Sequence, residues 1–584
     1  MSTDSLKQKK ELTNTNLKVK DNVRSNLESV VTIGGVIIFA FLVTFVCKKI
    51  MGEEETVNIT TNKAEQYFYD KKYDEAIKEY EKLQEKEEWP EEIVKQAQVY
   101  SVKGEKDMCN RLLAKAYDTR NKLIYTQSEK YRDDDGTLGS EIALTALING
   151  DVSKALEYGE VFLLENSNDK ELQNTMVIIY IESGELDKAK DIINSYSLDE
   201  SSVSELIRYS KMNIIAGNLD TALNTLKKAW YLDKDEVQIF NIMDQLVKEN
   251  RVDIYEKLTR YMEEDSEDIF YKVMLIKYYS MFAEESENGL KLFEEIENED
   301  IGNIMIYTVK ATLLENSENS DLAEEVIDNI LKNKEENYLI DNIMSWKYYK
   351  QGNYTKALEY AKYSVIKNPD YAENYGVLIP RILLDDKSSE MVEPYLREGI
   401  YKDPTNYNIL RNAAEFYNNT AKKQEKAYEM YSLLAGLYGV SDNYYNMALI
   451  KKSLEKTDEA IELYKKAIEL DGSVGEYHRD LGALYLQKGE NDKGIKEIRN
   501  AYSINKNDII SLNNAAFYYI KVEGDIERGL INLKSAYEGI NEDISTKLKE
   551  VITANYNKAK AANERYKDDK NEAEIKAIDI ELYN

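Results

Sequence analysis

Residues Tyr348–Pro369 read YYKQGNYTKALEYAKYSVIKNP, and Tyr485–Ala501 read YLQKGENDKGIKEIRNA. In each, an aromatic is followed four residues on by glycine, and five residues later by a small side chain. These are Tyr348, Gly352 and Ala357 in the first stretch, and Tyr485, Gly489 and Gly494 in the second. The same frame runs along almost the whole chain. Its small position falls at Ala76, Cys109, Ala155, Ala189, Ala222, Tyr255, Gly289, Ala323, Ala357, Val392, Ala427, Ala460, Gly494 and Gly529. The steps are 33 to 35 residues, apart from one of 46 between Cys109 and Ala155. A period near ~34 held through about fourteen copies is the mark of stacked helix–turn–helix units.

Elementary physics accounts for the frame. Glycine reaches the positive φ that a tight turn between helices needs. Alanine-sized side chains let two antiparallel helices approach closely. Tyrosine fills the space between successive pairs and keeps its hydroxyl near water. One unit cannot bury its apolar face alone, so stacking must close the core. Composition agrees: 584 residues contain only 5 Pro and 25 Gly, which favours an all-helical chain.

Over about residues 60–540 the chain resembles the tetratricopeptide repeat (TPR) family. The residues that carry the resemblance are the mid-helix aromatics Tyr67, Tyr100, Tyr180, Tyr348, Tyr485 and Tyr519, and the turn glycines Gly104, Gly150, Gly184, Gly217, Gly352 and Gly489. To these are added the later small residues Ala116, Ala229, Ser364, Ala467, Ala501 and Ala536, and the terminal prolines Pro369 and Pro404. The resemblance implies an all-α, right-handed TPR α-solenoid with a concave groove in which extended peptides lie. Carried onto this frame, the groove positions are Asn342, Trp346, Arg381, Asn412, Phe416, Tyr445, Arg479 and Asn513. Amide side chains there would pair with a peptide backbone, and rings would pack against its side chains. The Lys/Asn clamp that some members use for a C-terminal carboxylate is missing, because Ala483 stands where its partner is needed.

Departures from the frame organise the rest. The long step places an insertion at 117–140, whose run Asp133–Asp134–Asp135–Gly136 reads as a solvated acidic loop; neither Tyr131 nor Ile142 suits the ends of a calcium loop. The repeats around Tyr255 and Gly289 are degenerate. An irregular repeat spans 376–404, where Pro380 and Pro394 fall inside helices and predict a bend between 376 and 396. The solenoid is expected over 61–540, a C-terminal capping helix over 541–566 and a flexible tail over 567–584.

Before the repeats, residues 1–28 form a polar basic tail. Ser29–Cys47 (SVVTIGGVIIFAFLVTFVC) contains no charge and matches the length of a bilayer span. The expectation is a transmembrane helix at 29–50 followed by a linker at 51–60. Lys9, Lys10, Lys18, Lys20 and Arg24 precede the span, while Lys48, Lys49 and Lys63 follow it. That balance predicts a single-pass cell-membrane protein with a cytoplasmic N-terminus and an extracytoplasmic solenoid. Abundant Asn, Lys, Ile, Glu and Tyr with scarce Pro and His suggest a bacterial, AT-rich source.

Chemistry is hard to find. The net charge is −31, which repels phosphate backbones and argues against a nucleic-acid partner. With two cysteines and one histidine, Cys47, Cys109 and His478, a Cys/His zinc site is excluded. There is no phosphate loop and no nucleophile elbow. His478 reads as a packed or surface imidazole. No catalytic, cofactor or metal residues are expected. The sequence therefore predicts a membrane-anchored scaffold binding other proteins or extended peptides. The alternative is a cytoplasm-facing regulatory or assembly subunit of a membrane enzyme complex, and an enzyme in its own right is a remote third.

Overall fold

The computed structural model describes residues 57–249, 251–332, 337–566 and 571–583. The chain divides after Asn58, and everything below lies in residues 59–584. Among the described residues the regular structure is helical throughout, from Lys63–Tyr69 to Glu572–Lys576. Asn, Asp and Ser cap many of the helix starts; Asp169, Asn337, Asn353, Asn406 and Asp508 each accept from an amide of the first turn.

The periodic frame is visible in the backbone. Positive φ occurs at Lys71, Gly104, Gly150, Gly184, Gly217, Glu318, Gly352, Lys387, Lys422, Glu455, Gly489 and Gly524, each five residues before a small position. Beyond each turn an amide reaches back to close the helix end: Glu185 donates to the Tyr180 carbonyl at 2.7 Å, Asn353 to Tyr348 and Glu490 to Tyr485 at 2.9 Å. Five of these turns use lysine or glutamate, which costs each about 1 kcal/mol relative to glycine. At Gly289 a single 3-10 turn, Ala283–Glu285, replaces the left-handed residue. The small positions are the contact points: Ala76, Ala155, Ala222, Ala357, Ala427 and Ala460 are fully buried. Cys109 occupies the same position, and burial pushes its thiol up to about 12, so it is a packing group.

Step length predicts helix shape. The three 35-residue steps end at Val392, Ala427 and Gly529. Each contains one π-helical segment: Asn374–Leu378, Phe416–Thr420 and Tyr519–Glu523. An extra residue in a helix whose two ends are fixed by packing is absorbed as a wider turn. The 46-residue step is absorbed differently, in one long helical run, Lys106–Ile148, broken at Gln127 (φ −142°, ψ 40°).

That run corrects the acidic-loop expectation. Residues 117–140 are helical apart from the break, and Asp135 is buried in an ion pair with Arg120, whose guanidinium also meets Glu165. A carboxylate this deep is tolerated because it is paired and also accepts from Asn166 at 2.8 Å. Both prolines sit where a helix tolerates them. Pro394 sits in the first turn of Val392–Lys402, where no intrahelical donor is lost. Pro380 follows the π segment, and the helix runs on to Asp385. Likewise residues 571–583, expected as a flexible tail, hold a short helix and a hydrogen-bonded extended segment.

The array folds back on itself. One apolar core is shared by residues 64–212 and 357–450. Tyr69 stacks on Tyr395 with ring centroids 5.0 Å apart. Lys106 pairs with Glu429 at 2.7 Å, Ser432 donates to Glu182 at 2.8 Å, and Lys211 pairs with Asp403 at 2.6 Å. At the centre of this contact the fully buried Arg397 donates to Ser101 Oγ at 2.9 Å, while Lys426 donates to the Ser101 and Val102 carbonyls at 2.8 and 3.2 Å. Those carbonyls end the helix Glu91–Lys103, whose dipole favours a cation there.

The single-pass membrane localisation is corrected. Among the described residues no helix is long and apolar enough to cross a membrane. The stretch 29–50 itself lies outside the described residues, as do 1–28 and most of 51–60.

Two outcomes follow from this architecture. Deleting Asn418, inside a π segment, is expected to regularise that helix and lower the melting temperature far less than deleting Ala448 from the regular helix Ser441–Ser453; circular dichroism melts of both deletions compare them. Burial, then the charge of Arg397, pushes Lys426 down to about 7 from an unfolded value near 10.5. The unfolded chain therefore binds more protons between these values, and this group's contribution to stability rises with pH above 7. Wild type should gain on the order of 2 kcal/mol over Lys426→Met between pH 7 and pH 9 in denaturant titrations. A pH-independent difference between the two would contradict this account.

Candidate functional site: a groove around Trp346

Five of the eight groove positions converge. Trp346 separates two cavities on the same side of the helices Tyr338–Lys350 and Ile379–Asp385. The larger, about 580 Å³, is lined by Asn342 and Trp346 with Leu339, Ile343, Ala311 and Met305. The smaller, about 310 Å³, is lined by Trp346, Arg381, Asn412 and Phe416 with Val377, Pro380 and Leu384. The indole meets Tyr349 edge-on, centroids 5.5 Å apart. An apolar floor with a few polar groups at its rim is the usual composition of a binding cleft.

The polar groups there are held by neighbours. Asn342 donates to Asn374 Oδ1 at 2.8 Å, and the fully buried Asn374 donates to Ser364 Oγ at 2.8 Å. Arg381 Nε donates to the Tyr349 hydroxyl at 3.0 Å and lies 3.8 Å from Asp385, so its charge stays at the cleft mouth. Asn412 has a structural task. Pro380 has no N–H to offer the Gly376 carbonyl one turn back, and Asn412 Nδ2 supplies the missing donor at 3.0 Å. Glu373 lies in the wall between the larger cavity and a polar interior cavity of about 530 Å³. Burial raises its carboxyl above the usual range, against the opposing hydrogen bonds from Asn406 and Tyr371.

The other three positions lie further along. The Tyr445 hydroxyl donates to Asp480 Oδ2 at 2.8 Å, and Arg479 pairs with Asp480 at 2.8 Å and Asp508 at 3.8 Å. Both are committed to the stacking of neighbouring repeats. Asn513 is fully buried, donates to the Glu581 carbonyl at 3.2 Å and accepts from Asn555 at 2.9 Å. The position at which an extended peptide was expected therefore faces one, the chain's own C-terminal segment. His478 is packed, with Nδ1 2.6 Å from Glu497 and Nε2 3.2 Å from the Gly472 carbonyl, and the Glu497 hydrogen bond raises its pKa.

Sequence reasoning missed Asn514, Asn555, Lys521 and Lys558, all of which contact the C-terminal segment. One signal was present. Ile578, Ile580 and Leu582 alternate with Asp579 and Glu581, the pattern of an extended segment with one apolar face.

Residues 441–473 match the tetratricopeptide repeat family model, a window that covers the hairpin Ser441–Ser453 and Thr457–Leu470. No curated protein matches the chain. Among solved structures, the chain is similar to Naa15/Naa10 bound to HypK-THB, at 14% identity over 88% of this chain and 98% of that one, with a TM-score of 0.35. It is also similar to yeast Tom70, at 16% identity over 88% and 97% with a TM-score of 0.32, and to the APC/C hetero-tetramer Cut9–Hcn1, at 14% over 77% and 94% with a TM-score of 0.33.

Replacing Asn412 by alanine is expected to leave the Gly376 carbonyl without its donor and to cost about 1–2 kcal/mol, read as a lower denaturation midpoint at unchanged slope. A neutral Asn412→Ala variant would refute the repair role. Residues 441–473 are thus similar to a tetratricopeptide repeat, and among the described residues they sit in an array of helical hairpins whose turns recur at the same spacing.

Proposed function

We propose that this chain is a protein-interaction scaffold that holds extended peptide segments along the inner helices of its array, and that it acts by binding, not by catalysis. One observation carries the reading. The array already holds a segment of chain by its backbone: after a tight turn in which the Ile580 amide donates to the Ile578 carbonyl, Glu581 lies against Asn513, and the amides of Glu581 and Tyr583 donate to Asn555 and Asn514. Trp346 and its two cavities offer a second candidate surface, with apolar walls and Arg381 at the mouth. A partner suited to it is an extended segment with an aromatic or branched apolar anchor. That anchor would pack on Trp346 and Phe416.

Selection of binders from a random peptide library on the full chain tests this. Binders with an apolar anchor are expected, and Trp346→Ala should weaken them about tenfold or more with the melting temperature little changed. A library that yields no binder, or binders indifferent to Trp346→Ala, would overturn the assignment of this groove.

A further inference from the structure

We propose that the groove beneath residues 578–583 is a displaceable binding site. In trans it takes an extended segment of a partner protein with apolar residues at alternate positions and acidic residues between them, and the chain's own tail is its built-in competitor. The inference rests on the peptide-holding reading above and names a second site with its own ligand chemistry.

The tail is read through its backbone. Asn555 Nδ2 donates to the Glu581 carbonyl at 2.8 Å and Asn555 Oδ1 accepts from the Glu581 amide at 2.9 Å. Two residues on, Asn514 repeats the pattern at Tyr583, donating to its carbonyl at 2.7 Å and accepting from its amide at 3.0 Å. Lys521 donates to the Ile578 carbonyl at 2.9 Å. An asparagine amide that pairs with both N–H and C=O of one residue imitates a neighbouring strand and is indifferent to the side chain it reads.

Selectivity comes from the alternation. Ile580 is 4% exposed, and Ile578, Leu582 and Tyr583 pack against apolar clusters of the last repeats, while Ala577, Asp579 and Glu581 face outward. Lys558 meets both the carbonyl and the carboxylate of Asp579, at 2.8 and 2.7 Å, which favours an acidic residue there. The three asparagines are at most 1% exposed under the tail. Emptied, the groove would expose the apolar surface that now buries Ile580, so an occupant is favoured. The occupant itself is a short segment whose Ala577, Asp579 and Glu581 stay exposed. A partner segment of the same pattern satisfies every one of these groups equally well.

The test uses a labelled peptide AIDIELYN, the sequence of residues 577–584, titrated into three full-length or near-full-length proteins. These are the wild-type chain, Ile580→Asp, and a chain ending at Ala577. The two release variants are expected to bind the peptide at least tenfold more tightly than wild type. Adding Asn555→Ala to a release variant should cut that binding at least tenfold, and a peptide with the central isoleucine replaced by aspartate should not bind. Equal binding by wild type and both release variants, or indifference to Asn555→Ala, overturns the proposal. Loss of helical circular dichroism in both release variants also overturns it, because the tail would then be a fixed part of the fold. Library binders at the Trp346 groove that persist in Ile580→Asp would separate such a failure from failure of the wider scaffold reading.

Discussion

The close approach of two antiparallel helices at one small buried side chain is the constraint on which this structure depends. Ala357, Ala427 and Ala460 are fully buried at this contact, and the left-handed turn five residues earlier is what aims the second helix at the first. Contact point and turn are thereby locked at a fixed sequence distance. Whatever length varies between repeats must be taken up elsewhere. In three places it is taken up inside the first helix as a π turn, and in one as a long helical run with a single break at Gln127. At one crossing the backbones come close: a Cβ on Gly399 would lie 2.9 Å from Gly376.

A second layer of organisation is electrostatic. An acidic chain that folds back on itself brings like charges together, and the contact between the early and late parts of the array is made by placing cations where they are wanted. Lys426 meets the C-terminal carbonyls of Glu91–Lys103, Lys106 meets Glu429, and Lys211 meets Asp403. Arg397 is the costly member, fully buried with a hydroxyl and aromatic neighbours around it; Lys426's own burial, helped by this neighbouring charge, drives that lysine toward neutrality. The fold-back also leaves a polar cavity between its two parts, lined by Lys95, Glu171 and Arg208 from one and by Glu373, Glu398 and Asp403 from the other.

Asparagine is the common currency of the inner side, used in two ways. Asn412 and Asn342 spend their amides on the protein's own backbone and side chains, repairing the gap at Pro380 and fixing Asn374. Asn513, Asn514 and Asn555 turn theirs toward an extended segment. The same chemical group is therefore structural in one repeat and a reader of peptide backbone in another, and only its surroundings tell the two apart.

The sequence alone determined the helical class, the register of most of the described hairpins and the positions of the buried small residues, because these depend on interactions local to one repeat and recur at a fixed spacing. It also held the π turns, as steps one residue longer than the period. Five of the eight groove positions share one cleft for the same reason, since equivalent positions in successive repeats face the same side. Tertiary structure alone decided the rest. Helix formation over 117–140 needed Arg120 to neutralise Asp135, and the harmless fit of Pro380 needed a donor from Asn412, 32 residues away in the chain. The fold-back joins Ser101 to Arg397 and Glu182 to Ser432, contacts between residues hundreds of positions apart that no periodicity encodes. The occupied groove at the C-terminus is of the same kind: alternation in 578–582 marks an extended segment, but which surface receives it is fixed only when the last repeats and the helix Thr546–Arg565 are packed together.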